Sequence, residues 1–414
     1  MVPNKVGQLL VGWCLTFARK MSHSTQAVLS PVRLGSITTP SGQANEAIYV
    51  QPSKASANLP IAVLVFFGGD VQDYPEVMAA HRDHKNYVDW SLTSTATLLA
   101  SKFPAHHVLV IKPSRKSLEV TRNNPNRRWF PREGRQKIRM ERKTFSCYDN
   151  FVSSNNVGAP THEPRVKALS HLATLIPEAL RKAHGLQTST REEIFTVHQS
   201  SDSSQSSCID PHEWDTSDAH GCGVDIPHWF KNDFEEIDFD EVILIGFSKG
   251  CVVLNQIITE LHALMTVESL QNKQTVSFID KVRNMYWLDG GHAGGRNTWI
   301  TSHSILKSLA AQQQISIHIH VTPYQVLTMP NTHVEQVHND VGQANPPYNF
   351  LAQPTTVMHY TTKVHDEFRP WIGKECKSFY DILKRAGAKI DYLLHFGNES
   401  PSLLCHFRIL NSFI

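Results

Sequence analysis

Residues 241–258 read EVILIGFSKGCVVLNQII. An apolar run, Glu241 to Ile245, leads directly into Gly246-Phe247-Ser248-Lys249-Gly250, and an apolar helical pattern follows from Lys249 to Met265. The run predicts a buried strand and the segment after it a helix, so the Gly-x-Ser-x-Gly pentapeptide falls on a strand-to-helix turn. Nucleophilic acyl chemistry needs that layout. A tight, strained turn lifts a serine hydroxyl above the sheet edge, and flanking glycines relieve crowding against neighbouring backbone. The start of the helix offers unpaired amides and a positive dipole end to a developing oxyanion. The expected fold is therefore an α/β-hydrolase, with Ser248 as its candidate nucleophile.

An oxyanion hole on this fold takes one N–H from the residue after the nucleophile, here Lys249, and a second from the loop after an earlier strand. Pro60 to Phe67 (PIAVLVFF) reads as such a strand, and Gly68-Gly69-Asp70 follows it. Gly68 and Gly69 are the expected backbone of the second donor. The general base should come late in the chain, after the last strand. Lys389 to His395 is that strand; His406 lies beyond it and is preferred over His395, because a loop there would let the imidazole reach Ser248. Two aspartates compete as the acid that orients it. Asp289 ends the strand Val282 to Leu288, whereas Asp366 follows the next strand, the more usual place for the acid of this fold. Chain order does not separate them.

Outward from this centre, strands and helices alternate. His107 to Ile111 is read as a strand preceded by a helix ending near Lys102, and Pro164 to Ala183 as a helix. Ser302 to Gln313 and Gly373 to Ala386 are further helices, with Ile315 to Val321 a strand between them. Such alternation implies a mostly parallel central sheet with helices on both faces. Three stretches break it: a basic one near 115–143, a Ser-, Asp- and His-rich one near 187–235, and a polar one near 327–362. They read as long insertions in a single domain spanning 46–414. The basic stretch is read as a solvated loop rather than a nucleic-acid surface.

Residues 1–45 differ from the rest. No acidic residue precedes Glu46, while Lys5, Arg19, Lys20 and Arg33 lie among Ser and Thr. That composition suits a flexible mitochondrial transit segment; the apolar stretch Val6 to Ala18 leaves a secretory signal as the alternative. No apolar run is long enough to span a bilayer.

A net charge of +2 gives no long-range pull toward nucleic acid or membrane. Seven cysteines without a CxxC pair argue against a disulfide framework or a zinc ribbon. His318 and His320 share one strand face, but without a third ligand at suitable spacing they are expected to be a packed, hydrogen-bonded pair. No metal and no cofactor are expected. His292, beside two glycines, could line the pocket or make a local hydrogen bond.

GFSKGCVVLNQ (246–256), WLDGGHAGGRNTW (287–299), VTPYQV (321–326) and RPWIGKE (369–375) resemble a eukaryotic, mitochondrial, serine-hydrolase-like family whose human member is named for an open reading frame on chromosome 2. TFSCYDNFV (144–152) and HFRI (406–409) resemble it too. The resemblance implies an α/β-hydrolase fold, a mitochondrial address (the matrix is expected), and Ser248, Asp289, Asp366 and His406 as matching positions. The expected reaction is attack on an ester or thioester carbonyl of an acyl-containing small molecule or lipid. The alternative is an inactive scaffold with the same fold.

Overall fold

The computed structural model describes residues 30–54, 61–121, 140–155, 158–164, 168–200, 239–270, 272–292, 296–330, 360–363 and 371–414. Its sheet is built around the most apolar runs. Strand β3 (Ala62–Phe67) is buried along its whole length and β5 (Glu241–Phe247) along all but its first residue, as expected of central parallel strands covered on both faces. The remaining strands are β1 (Val32–Thr38), β2 (Ala44–Val50), β4 (His106–Ile111), β6 (Val282–Leu288), β7 (Ser316–Val321) and β8 (Lys389–Leu394). Their order across the sheet is β1-β2-β4-β3-β5-β6-β7-β8. Strand β2 runs antiparallel to both its neighbours, and every pair from β4 to β8 is parallel. This is the α/β-hydrolase fold.

Successive side chains of each strand alternate between two cores. Val63, Val65 and Phe67 face helices α3 (Ala168–Ser200), α4 (Cys251–Thr266), α5 (Lys273–Lys281), α6 (His303–Ala310) and α7 (Ile372–Arg385). Leu64 and Phe66 face the other side, with α2 (Leu92–Lys102) and the C-terminal α8 (Leu403–Ser412). A short helix, α1 (Pro75–Ala80), and a 3-10 segment, His84–Trp90, lie between β3 and α2.

The chain departs from expectation at four places. Residues 32–45 were grouped with the targeting segment, yet β1 and the start of β2 lie in the sheet, with Leu34 and Ile37 packed in its core. The strand hides in its sequence because this edge strand buries only Leu34 and Ile37, separated by Gly35 and Ser36. Residues 1–29 lie outside the described set. The basic insertion is flanked by a hairpin, Ser114–Thr121 with Met140–Cys147, and its centre, 122–139, is outside the described residues. The helix expected to end at Ala183 continues to Ser200, into the stretch read as loop; 201–238 are not described. In the third insertion, Leu327–Pro330 pairs with Tyr360–Lys363.

Register positions the site. Phe67 pairs with Gly246 and Leu288 with Phe247, so the residues just past β3, β5 and β6 are Gly68, Ser248 and Asp289, side by side along one edge. This is the carboxyl edge, where parallel sheets place their ligands.

Candidate active site

Ser248 sits at φ 52°, in the left-handed region that a non-glycine residue rarely occupies. The close approaches around it explain the glycines. A Cβ on Gly246 would lie 2.8 Å from Cys251 Cα, and one on Gly250 would collide with the Phe67 carbonyl oxygen. A Cβ on Gly69 would come within 3.0 Å of Ser248 Cβ. The Gly69 turn is therefore packed directly against the elbow. Helix α4 begins immediately after it, so the Lys249 amide is among the first of the helical segment, which have no acceptor within it.

The imidazole of His406 lies in the first turn of α8, just beyond the last strand. Ser402 caps that turn by accepting the Cys405 N–H at 3.1 Å. The helix is fixed from outside: the Trp90 indole N–H donates to Asn411 Oδ1 at 2.6 Å, and the Phe407 ring stacks on Tyr87 at 4.9 Å. Rings also hold the imidazole, with Phe247 stacked at 4.5 Å and Tyr324 tilted at 4.7 Å between centroids.

His406 Nδ1 lies 2.6 Å from Asp289 Oδ2, and both side chains are buried. An anionic carboxylate has only acceptors to offer, so Nδ1 carries the proton and Nε2 is left as the basic nitrogen. The carboxylate also accepts the Thr322 N–H at 2.8 Å and the Thr322 hydroxyl at 2.6 Å. A fully buried carboxylate requires such partners, because each lone pair left without one costs desolvation energy. Asp289 itself has φ 48°, a conformation aspartate tolerates better than most residues. Asp289, one of the two expected acids, lies beside His406; Asp366 lies outside the described residues. The alternative base, His395, is turned elsewhere, with Nε2 2.8 Å from His320 Nδ1. His292 makes a local bond to the Asn297 carbonyl at 3.3 Å.

The glycine turn carries a feature that the sequence did not suggest. Gly69 N–H donates to Gln72 Oε1 at 2.9 Å, so this expected donor already has an acceptor. Gln72 is wholly buried and is held by Trp90 O at 2.7 Å and Thr95 Oγ1 at 3.0 Å. The Tyr148 hydroxyl donates to Gly68 O at 2.9 Å, and Ser146 N–H to Asp70 Oδ1 at 2.8 Å. Lys249 adds another tie: its buried ammonium donates to the Gly158 carbonyl. Burial lowers its pKa, while Asp70 and Asp149 pull it back up. Thr322, Tyr324 and Gln72 were all missed as site residues. A signal existed for two of them, since VTPYQV was among the segments carrying the family resemblance.

Among the described residues, no helix is long and apolar enough to cross a membrane. Solved esterases resemble the chain weakly: Est22 is 12% identical with a TM-score of 0.34, covering 93% of this chain and 76% of its own. A Rhizomucor miehei esterase is 8% identical with a TM-score of 0.35, covering 100% and 90%. Sequence relatives are much nearer. The human protein named "Mitochondrial protein C2orf69" is 35% identical over 84% of this chain and 72% of its own length. The mouse homologue is 34% identical over 84% and 76%. A zebrafish homologue is 29% identical over 84% and 72%. The C2orf69 family model matches residues 33–121 and 136–343, so the chain belongs to the C2orf69 family.

Proposed function

We propose that the chain is a serine hydrolase that cleaves an ester or thioester through an acyl-enzyme. In this reading His406 Nε2 takes the proton of Ser248 as its oxygen attacks the carbonyl, and later returns one to the leaving group. Asp289 holds the tautomer and stabilises the imidazolium. The Lys249 N–H holds the oxyanion, and Gly69 N–H joins it once the substrate oxygen displaces Gln72 Oε1. The substrate is an acyl-containing small molecule or lipid. The site of action is the mitochondrion, since the human, mouse and zebrafish relatives carry that word in their names, and within it the matrix. An N-terminal transit segment fits that address.

The observation that carries the proposal is the buried His406–Asp289 pair beside a left-handed serine on the same sheet edge. Hydrolysis of a short p-nitrophenyl acyl ester tests it. Ser248→Ala should lose roughly 10⁶-fold in kcat. Equal rates for the folded wild type and variant would refute it.

The Gly69–Gln72 bond favours a second reading, an inactive scaffold in which that amide stays occupied. In cells lacking the protein, rescue by Ser248→Ala equal to that by the wild type would select the scaffold.

A further inference from the structure

On β7, His318 and His320 point to the same side, and the register places Asp391 of β8 directly opposite His318. One donor atom from each of the three lies within 4.8 Å of the other two. The third ligand that the histidine pair lacks within its own strand is thus supplied across the sheet. We propose that His318, His320 and Asp391 form a binding site for a divalent transition metal of the zinc class, clasping the edge strand β8 to β7.

The surroundings are those of a coordinating pair. Metal-bound histidines present one ring nitrogen to the ion and commit the other to a fixed partner, which sets tautomer and orientation. His318 Nε2 lies 3.1 Å from Asn284 Oδ1, an acceptor that keeps the Nε2 proton in place when an ion displaces the Nδ1 proton that binds Asp391 in the ion-free chain. That Nδ1 already points at Asp391 Oδ2, 2.8 Å away. His320 Nδ1 is matched with His395 Nε2 at 2.8 Å, which leaves Nε2 of His320 to coordinate. The Tyr286 ring stacks on His318 at 4.1 Å and restrains its plane. Two imidazole nitrogens and one carboxylate oxygen suit zinc and its neighbours better than magnesium or calcium, which prefer oxygen alone.

Ligands around a tetrahedral zinc stand about 3.4 Å apart, given bonds of about 2.0–2.1 Å. The cluster must therefore open by about half an ångström between His318 and Asp391 and close elsewhere by at most about 1.4 Å. The Asp391 side chain is 61% exposed and can swing by that much. Binding also shifts the edge by little, because His320 O already accepts the Asp289 N–H at 2.7 Å and His395 N–H donates to Val321 O at 2.8 Å.

The test is a Co²⁺ titration of the full chain after chelator treatment, followed by ligand-field absorption and by competition with Zn²⁺. The expected result is one saturable ion per chain, with affinity falling roughly a hundredfold in His318→Ala and Asp391→Asn. Circular dichroism verifies that each variant is folded. Because Asp391 lies on the exposed edge, Asp391→Asn reports even where His318→Ala fails to fold. Absence of a saturable site in the wild type, or unchanged affinity in folded Asp391→Asn, would overturn the proposal.

Discussion

Two histidine–aspartate pairs are anchored to the same sheet, one through the end of a strand and one between two strands, and they differ in almost everything except their bond. His406 Nδ1 meets Asp289 Oδ2 at 2.6 Å, and His318 Nδ1 meets Asp391 Oδ2 at 2.8 Å. The first joins residues 117 apart across the carboxyl edge, with side-chain exposures of 4% and 0%. The second bridges neighbouring strands at mid-length, with exposures of 19% and 61%. Burial makes the first pair consequential, since removing one partner strands the other in a low-dielectric site. Water screens the second, and without a further ligand it is worth little. A hydrogen bond between two residue types therefore says less about chemistry than where the sheet places it.

The comparison breaks most severely at Asp289. Asp289→Asn leaves a side chain of the same shape but no longer enforces the Nδ1–H tautomer of His406. Ester hydrolysis should fall about 10⁴-fold, with folding retained by circular dichroism. An effect below tenfold would place Asp289 among structural groups. The closeness of the elbow is tested next by Gly250→Ala. Its methyl would strike the Phe67 carbonyl, and urea unfolding should show a loss of about 3 kcal/mol.

Glu260 supplies a third kind of acid, buried as Asp289 is but held by amides instead of an imidazole. It accepts the Ala168 and Leu169 N–H groups at 2.7 and 2.9 Å. Burial pushes its pKa up to about 7 against the downward pull of those amides and Gln256. A raised folded pKa means that the folded state keeps a proton the unfolded chain has released. Its contribution is fully present below about pH 4.5 and is lost as pH rises through about 7. His162 and His171 run the other way. Burial holds each down at about 4, so the stability they contribute is lost as pH falls from about 6.5 through 4. Glu260→Gln should remove only the first dependence, a difference between the two profiles on the order of 3 kcal/mol from pH 5 to 8. Parallel wild-type and variant profiles would contradict it. The smallest effect belongs to the exposed pair. In metal-free buffer, Asp391→Asn should shift the unfolding free energy by less than about 1 kcal/mol, and a larger shift would mean the pair is not screened as described.

Much of this was legible in the residues. The run EVILI, the glycine-flanked serine and the apolar helix after it demanded a strand, a turn and a helix, and each is present. The buried strands β3, β4, β6 and β7 also lie within two residues of their expected bounds. Edge strand β1 was not legible, because half-buried strands carry half the apolar signal. The choice between Asp289 and Asp366 was not legible either, since chain order says nothing about which strand end faces the helix bearing His406. Asp391 escaped notice for the same reason. It joins His318 only through the β7–β8 register, which no local pattern encodes. Gln256 and Glu260 are polar residues inside an apolar helix, and apart from each other their partners lie more than ninety positions away.

The proposed function requires Ser248 to be an activated nucleophile. Its most direct measurement is reaction of the purified chain with a fluorophosphonate, with the adduct mapped by mass spectrometry beside Ser248→Ala and Asp289→Asn. An adduct is expected on Ser248 in the wild type, with none in Ser248→Ala and strongly slowed labelling in Asp289→Asn. A folded wild-type chain that stays unlabelled, or one labelled elsewhere and equally in Ser248→Ala, would contradict it.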